Sequence, residues 1–468
     1  MKALEHTYRY REDSVLGEGN GKPSLHLATS GGRESNPHFF AGSLLSPRRT
    51  ADFLLALYEV VQSRFYIPSA MLQRILREAD PVVTCDGERL RFEVFSSCCS
   101  VYARVDLLPE ALSGSMVGRG TTNVDFNPPL RAALARVRDD DPVALRVGRE
   151  QVELDRAGEK VVERKVRLPT RWIRGFLEIQ SYLRGLEAEP RLRVSGSEAL
   201  RFLRSLPRGK LGTSKLQVSQ TQGRLRLARA IPSNQKRSDN PSVPVAGVER
   251  LRILEPILHH AQELQVFASS TGMVSCWQLL AKEMRFQLVL SPEVSRGFSG
   301  EGQALESLLD GDARRHAKAA RALLGWQGRI DETELARQLQ VDASAVERIL
   351  AVLGTEGLVG FDVEQGAYFS RELPFQLSEV EKYQPRLVAA RRLVEEGHVQ
   401  IISSQGADLE AYVQGSGVEH RVRLGVGTDE ARCTCRWFAK HQGDRGPCKH
   451  ILALRLARRR ARGRRQHS

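Results

Sequence analysis

The sequence predicts a multidomain α+β protein in which helices back an antiparallel β core and a small ββα metal-binding module lies near the C-terminus. Three observations support this prediction. A helix followed by two alternating strands recurs three times between residues 125 and 290. Three helices and a hairpin are predicted after residue 302, and three of the seven cysteines fall within sixteen residues near the end of the chain. At 468 residues, the chain is long enough for several hydrophobic cores.

Composition excludes several classes of protein. With 41% hydrophobic and 27% charged residues, the chain has the balance of a soluble globular protein. No run approaches the roughly 20 apolar residues that cross a bilayer, and the first residues lack the apolar segment of a secretory signal. An odd number of cysteines without such a signal indicates a reducing compartment rather than a disulfide scaffold. We therefore expect a cytoplasmic protein with no membrane partner.

The predicted α+β core spans residues 1–295 and contains the three helix-strand-strand units. Repeated units of this size indicate a helix-backed antiparallel sheet built by duplication. In the order of its elements the pattern is similar to the sliding-clamp fold, although no sequence motif is shared. An unrelated α+β core is the preferred interpretation, and the clamp-like one remains open. The helices of the three units are predicted at residues 130–137, 199–204 and 251–258.

A second domain is predicted at residues 303–376, followed by a linking helix at residues 377–397. Three helices and a β-hairpin in this order resemble a winged helix-turn-helix domain. In members that read DNA, the third helix enters the major groove. The exposed positions of that helix are not strongly basic, so DNA reading, protein contact and a purely structural role all remain open. These positions are Ser344, Glu347 and Arg348.

The clustered cysteines form two short pairs with a histidine, C-x-C and then C-x-H after twelve residues. A two-residue step along a strand places both sulfurs of the first pair on one face, so they can bind the same ion. Three thiols and one imidazole are a closed ligand set of the kind that structural zinc takes. His420 and His441 lie nearby as rival ligands, but neither completes a paired spacing and we interpret both as surface residues. The predicted ligands are Cys433, Cys435, Cys448 and His450.

These residues resemble the signature of the SWIM zinc finger. A strand-like segment precedes the pairs at residues 418–424 and a helical one follows at residues 451–456, as in that family. The resemblance places a SWIM-type finger at residues 398–457 and implies zinc as the ion, together with DNA binding and protein-protein contact. The whole chain is also similar to bacterial SWIM proteins encoded beside MoxR-type AAA+ ATPases and von Willebrand A domain proteins. That similarity implies an adaptor for such a system.

Positive charge is concentrated at the C-terminus. Residues 431–468 carry twelve Lys and Arg and one acidic residue, which is +11 of the +14 net charge of the chain. An Arg-rich tail is predicted at residues 458–468, and helical spacing would align several of its guanidinium groups on one face of an extended last helix. Such a face suits nucleic-acid phosphates, whereas a frayed solubilising tail is the alternative. The candidate nucleic-acid-binding residues are Arg455, Arg458, Arg459, Arg462, Arg464 and Arg465.

No catalytic residues are predicted. The metal set is closed by four protein ligands, which leaves no position for a catalytic water. The adjacent His259 and His260 have no carboxylate or cysteine motif near them in sequence, and we interpret them as a surface pair at the end of a helix. The predicted function is a non-catalytic zinc-binding module for nucleic acid, protein or both. The alternative is an adaptor subunit of a MoxR-type AAA+ ATPase system that binds no nucleic acid directly.

Overall fold

The fold is a mixture of helices and antiparallel sheets. All strand pairs within the described residues are antiparallel. No helix in this part of the chain combines the length and the apolar character needed to cross a lipid bilayer. The computed structural model describes residues 15–19, 22–26, 38–63, 81–123, 126, 128–149, 151–164, 168–208, 216–229, 241–269, 274–293, 297–298, 302, 304–373, 384–405, 408–415, 417–425, 431–443 and 445–465.

An eight-stranded sheet lies at the centre of the main hydrophobic core. Its central strands are buried along their whole length because both faces are covered. Helix Pro47–Gln62 packs on the apolar face, and helix Thr170–Arg184 contributes Phe176 to the other face, against Phe95. In spatial order, the strands are Leu192–Ser195, Glu263–Ala268, Ser275–Leu280, Met284–Leu290, Val101–Leu107, Leu90–Phe95, Val82–Cys85 and Gly120–Asn123.

Three smaller sheets complete the first part of the chain. A five-stranded sheet joins residues from both sides of helix Pro128–Arg136, a three-stranded sheet lies beside helix Gly196–Ser205, and a two-stranded sheet occurs near the N-terminus. In spatial order, the strands of the five-stranded sheet are Glu159–Arg164, Gln151–Arg156, Val143–Gly148, His38–Leu44 and Leu112–Met116. Those of the three-stranded sheet are Arg224–Arg229, Leu216–Thr221 and Ser242–Val245. The two-stranded sheet pairs Val15–Gly19 with Lys22–His26.

The three predicted helix-strand-strand units are present as elements but differ from one another. The third helix, Val248–His260, is a 3-10 helix and contains Pro256. The strand pairs of the three units lie in three different sheets, the five-stranded, three-stranded and eight-stranded ones in turn. Construction of the core by duplication therefore stays a prediction.

The segment after residue 304 contains three helices capped in the same way. Asp310, Asp331 and Asp342 each accept a hydrogen bond from the backbone N–H three residues ahead, which stabilises the helix start. This explains why the helix starts could be read closely from the sequence. After the short helix Leu305–Leu309, the elements are Gly311–Leu323, Glu332–Leu339 and Ala343–Thr355, followed by the hairpin of Val359–Asp362 and Ala367–Ser370.

The hairpin of this segment is buried against the eight-stranded sheet. Asp362 lies 3.5 Å from the guanidinium of Arg91 and 3.3 Å from that of Arg104, both on the sheet. Arg371, just after the hairpin, pairs with Glu93 of the sheet at 2.7 Å. All five side chains are buried. The strands of the hairpin are thus fixed to the core by paired charges, while Glu364 and Gly366 at its turn are exposed.

The third helix of the segment is also engaged with its neighbours. Arg184 donates a hydrogen bond to Glu347 at 2.5 Å, and Arg348 lies 3.3 Å from Asp310 and also donates to Ser344. These contacts lie at the surface, and all three positions expected to face a DNA groove or a partner are exposed. The order of elements is the expected one, and the assignment as a winged helix stays a prediction.

The helices and strands from Pro385 to Arg465, which we call the C-terminal unit, have their own hydrophobic core. It contains more strands than the predicted ββα arrangement, because the hairpin extends into a four-stranded sheet. The predicted linking helix is present over Pro385–Glu395, and residues 374–383 lie outside the described part of the chain. The strands are Val399–Gln405, Asp408–Gln414, Glu419–Leu424 and Arg432–Cys433, and the helices are Arg436–His441 and Lys449–Arg465.

Candidate metal centre

Each of the four predicted ligands lies at the end of a secondary-structure element. Cys433 ends the short strand that pairs with Val422, and Cys435 is the N-cap residue of helix Arg436–His441. Cys448 directly precedes the last helix, and His450 lies in its first turn. The four ligands thus lie at the end of one strand and at the starts of two helices, and the fold brings these three places together.

The ligand atoms of these residues form one cluster. The three sulfurs and one ring nitrogen all lie within 4.8 Å of one another. The Sγ of Cys433 is 3.8 Å from Nδ1 of His450, which is close to the separation of roughly 3.5–3.8 Å expected around tetrahedral zinc. All four side chains are buried. The cluster is therefore closed to solvent on all sides.

Backbone amides surround the sulfurs. The N–H groups of Cys435, Phe438 and Ile451 point at the sulfurs of Cys433, Cys435 and Cys448, at distances of 3.4, 3.4 and 3.5 Å respectively. Such donors stabilise negative charge on sulfur, which a metal-bound cysteine carries.

The three thiols also share their protons. Hydrogen bonds from the thiols of Cys433 and Cys448 hold the pKa of Cys435 well below its usual range, while the bond to Cys435 raises the pKa of Cys433. One thiolate is thus favoured even without a cation. A metal ion can take over the role of the shared protons, because metal binding to cysteine releases them.

The imidazole of His450 supports the same conclusion. Its Nδ1 atom faces the sulfur of Cys433, whereas Nε2 is buried and has no hydrogen-bond partner among the described residues. A histidine gives one ring nitrogen to a metal ion, so Nδ1 is the nitrogen that the cluster offers. A ring held with this nitrogen among three sulfurs fits a metal ligand better than a packing residue. The donor set therefore suits zinc.

Residues 420–458 match the SWIM zinc finger family. The match includes all four clustered residues and most of the helix that carries His450. Together with the donor set, it identifies the chain as zinc-binding. We call residues 420–458 the SWIM zinc finger below.

Comparisons with curated proteins and with solved structures do not indicate a function for the rest of the chain. A search of curated proteins finds no match. Among solved structures, proliferating cellular nuclear antigen from Entamoeba histolytica aligns with a TM-score of 0.36 and 9% identity, over 54% of this chain and 98% of that one. The PCNA2–PCNA3 complex from Sulfolobus tokodaii gives 0.39 and 8% over the same shares. With scores this low, the clamp-like interpretation of the core stays a prediction.

The loop before Cys448 is held by a residue outside the SWIM zinc finger. Arg386, on the preceding helix, donates hydrogen bonds to the carbonyl oxygens of Arg445 and Pro447 at 2.7 and 3.1 Å. Its guanidinium also lies over the ring of Trp437 at 4.6 Å. These contacts join the two halves of the ligand set, because Trp437 follows Cys435 and Pro447 precedes Cys448. Sequence reasoning missed Arg386, since nothing in its local sequence marks it.

The candidate nucleic-acid-binding arginines all lie on one helix. Helix Lys449–Arg465 is continuous across residue 457, after which the Arg-rich tail was predicted. Burial, with a smaller contribution from Arg459, lowers the pKa of Arg455 to about 10, and both Arg455 and Arg458 are only partly exposed. Arg459 is exposed. The helix backbone continues through Arg462, Arg464 and Arg465.

A second basic surface was not expected from the sequence. On the outer face of the four-stranded sheet, Arg423 lies opposite Arg432, and Tyr412 lies opposite Arg421. All four side chains are exposed, while their neighbours along the strands point inward. Alternation of arginine with apolar residues over Glu419–Leu424 was the signal that could have indicated this face.

Four further histidines were considered from the sequence. His420 and His441 do not belong to the ligand cluster, although the ring of His420 lies 4.4 Å from that of His450. His259 and His260 end helix Val248–His260, and Nε2 of His260 lies 2.9 Å from Asp52. Sequence could not show this, since Asp52 comes from a distant helix. Arg48 also pairs with Asp52, which disfavours a cation there.

Proposed function

We propose that this chain is a non-catalytic, zinc-stabilised binding protein of the cytoplasm that contacts nucleic acid through the last helix of its SWIM zinc finger. One observation carries the proposal. The continuous helix Lys449–Arg465 contains both the ligand His450 and the candidate phosphate-binding arginines. Zinc at the start of the helix would therefore fix the direction in which the arginines project.

Charge supports contact with phosphate. Three thiolates around Zn²⁺ leave the cluster at about −1, so the surrounding segment remains strongly positive. Arginine binds phosphate oxygens through two parallel hydrogen bonds, and each neutralised phosphate releases condensed counterions. Because Arg455 and Arg458 are partly covered, we assign the contact mainly to the exposed Arg459 and to the residues beyond it.

A role without catalysis is supported by the closed ligand set. Structural zinc sites take four protein ligands, whereas catalytic ones keep a position for water or substrate. Here all four donors are protein atoms and all four side chains are buried. We propose that the metal stabilises the fold and takes no part in a reaction.

For the segment at residues 303–376, we propose a structural role that joins the core to the finger. Its hairpin is paired with the eight-stranded sheet through Asp362, and its third helix is bound to helix Thr170–Arg184 through Glu347. A winged-helix-like domain that read DNA would need these two surfaces free.

The second candidate function is a protein-interaction adaptor, and one observation favours it. Ile401 and Ile402 are 42% and 51% exposed on Val399–Gln405, an edge strand of the four-stranded sheet. An exposed apolar edge can accept a strand from a partner. The resemblance to bacterial SWIM proteins implies a MoxR-type AAA+ ATPase and a von Willebrand A domain protein as the partners.

Salt dependence of nucleic-acid binding separates the two candidates. The affinity of the full chain for duplex and single-stranded DNA is measured at several salt concentrations. The same is done for a variant with Arg459, Arg462, Arg464 and Arg465 changed to Gln. We expect a steep fall of affinity with salt for the unmodified chain, and a slope smaller by roughly 3 in the variant, since each phosphate contact contributes about 0.7–0.9.

Two controls sharpen this test. Arg423→Gln with Arg432→Gln removes exposed charge from the opposite side of the same finger, and should leave the slope largely unchanged. If only this control weakens binding, the contact surface is the sheet and not the helix. Absence of binding at low salt would leave the adaptor as the remaining candidate.

A further inference from the structure

A cleft far from the metal centre lies between the five-stranded sheet and the helical segment. Its volume is about 720 Å³, within the range of roughly 300–1,000 Å³ that small-molecule sites occupy. One wall consists of residues 116–121 with His38, and the other of residues 324–326 with Arg321 and Glu372. None of these residues takes part in the SWIM zinc finger.

The lining of the cleft is positively charged. Arg119, Arg149 and Arg321 line it together with a single carboxylate among the described residues, that of Glu372. A fourth arginine, Arg371, is fully buried and neutralised by its pairing with Glu93. The excess of guanidinium groups in a recess favours an anionic ligand, because low-dielectric walls strengthen attraction to charge.

An aromatic residue also belongs to the lining. Trp326 is partly exposed and lines the cleft beside Arg119 and Arg321. The cleft therefore combines guanidinium groups with an aromatic side chain.

The walls of the cleft are held at a fixed separation. Arg119 donates a hydrogen bond across it to the carbonyl oxygen of Trp326 at 2.6 Å. Within the first wall, Gly120 allows the loop to pack on Phe39, since a Cβ there would lie 2.2 Å from the ring of Phe39. The recess is therefore formed in advance, which lowers the cost of ordering a ligand.

We propose that this cleft binds a nucleoside phosphate, with the phosphate at Arg321 and the base on the indole of Trp326. Arginine suits phosphate oxygens, and every nucleobase offers a flat face that stacks on an aromatic ring. The volume accommodates one nucleotide rather than a strand. The proposal is independent of the function assigned to the SWIM zinc finger.

Calorimetric titration of the full zinc-loaded chain tests the proposal, with ADP, pyrophosphate and adenosine as separate probes. We expect ADP to bind more tightly than either fragment. Arg321→Gln should weaken ADP binding about 10-fold or more, because it removes a charge-assisted hydrogen bond. Arg321 makes no hydrogen bond or ion pair within the described residues, so the substitution should not disturb the fold.

Arg329→Gln is the matched control, since Arg329 is an exposed residue of the same segment outside the cleft. It should bind ADP as the unmodified chain does. Trp326→Leu, which removes the aromatic ring, should retain pyrophosphate binding and lose the advantage of ADP over pyrophosphate. Equal affinity for ADP and pyrophosphate, unchanged binding in Arg321→Gln, or no saturation by any probe would each overturn the assignment of a nucleoside phosphate.

Discussion

Arg386 donates a hydrogen bond to the carbonyl oxygen of Pro447, the residue directly before the zinc ligand Cys448. The two residues lie far apart in the sequence, on the linking helix and in the loop between the ligand pairs. The same guanidinium lies over Trp437, which follows Cys435 by two positions. One side chain thus positions the chain on both sides of the metal centre.

Replacement of Arg386 by Ala should weaken zinc binding without removing any ligand. Residues that support metal ligands typically contribute 10–100-fold to affinity, and we expect a loss of about that size. Competition with a chromophoric zinc chelator measures it. Arg392→Ala provides the control, because Arg392 lies on the same helix and pairs with Glu396 on the exposed side. Equal zinc affinities for both variants would contradict the role given to Arg386.

Gly446 is expected to be irreplaceable for a steric reason. Its φ is +69°, and a Cβ there would lie 2.4 Å from the carbonyl oxygen of Gly302. Gly446→Ala should therefore destabilise the finger by more than the roughly 1–3 kcal/mol that backbone strain alone costs. Gly443→Ala is a matched control, since Gly443 has a φ of +96° but no atom near the added Cβ. Chemical unfolding of both variants should show the larger loss for Gly446→Ala.

The ligands could be predicted from sequence because they occur in two local pairs, and local spacing determines which side chains share a face. The residues that position them could not. Arg386 and Gly302 reach the ligand loop only through the tertiary fold, and no periodicity marks either residue.

The central strands show a different limit of sequence reasoning. Alternation in Leu90–Phe95 is typical of a half-exposed strand, with Arg91 and Glu93 facing water. In the structure that face is covered, because the hairpin at Val359–Asp362 supplies charges that pair with it. The local pattern predicts the strand, whereas its burial depends on a partner more than 250 residues away.

Acid should weaken the junction between this hairpin and the sheet. Burial alone would raise the pKa of Asp362, but the guanidinium groups of Arg104 and Arg91 outweigh it and hold the pKa well below its usual range. A carboxylate with a depressed pKa stabilises the fold above its unfolded-state pKa of about 4, and this contribution is lost as the pH falls below that value. Unfolding free energies at pH 3, 5 and 7 measure the effect.

Asp362→Asn should remove this pH dependence at the cost of stability. The substitution leaves two buried guanidinium groups less well paired, which typically costs about 3–5 kcal/mol. The exposed Asp312 serves for comparison, and Asp312→Asn should behave as the unmodified chain does. A loss of stability in acid that is equally steep in Asp362→Asn would show that other groups are responsible.

Loss of a single ligand should unfold the C-terminal unit selectively. Metal binding supplies on the order of 10 kcal/mol of local folding energy in small zinc domains. Cys435→Ser should therefore unfold the finger, while the main core stays folded. Amide hydrogen exchange should become fast in Asp408–Gln414 and Glu419–Leu424 and stay slow in Val101–Leu107. Cys98→Ser, which changes a cysteine outside the cluster, is the control. Uniform protection in both variants would mean that zinc does not hold this unit together.

Zinc content per chain tests the central claim most directly. Elemental analysis of the purified full-length protein should give one zinc per chain, and Cys448→Ser or His450→Ala should reduce this value strongly while Cys98→Ser leaves it unchanged. A metal-free unmodified chain that retains a folded C-terminal unit, or full zinc content in the Cys448→Ser variant, would contradict the assignment of these residues as the zinc site.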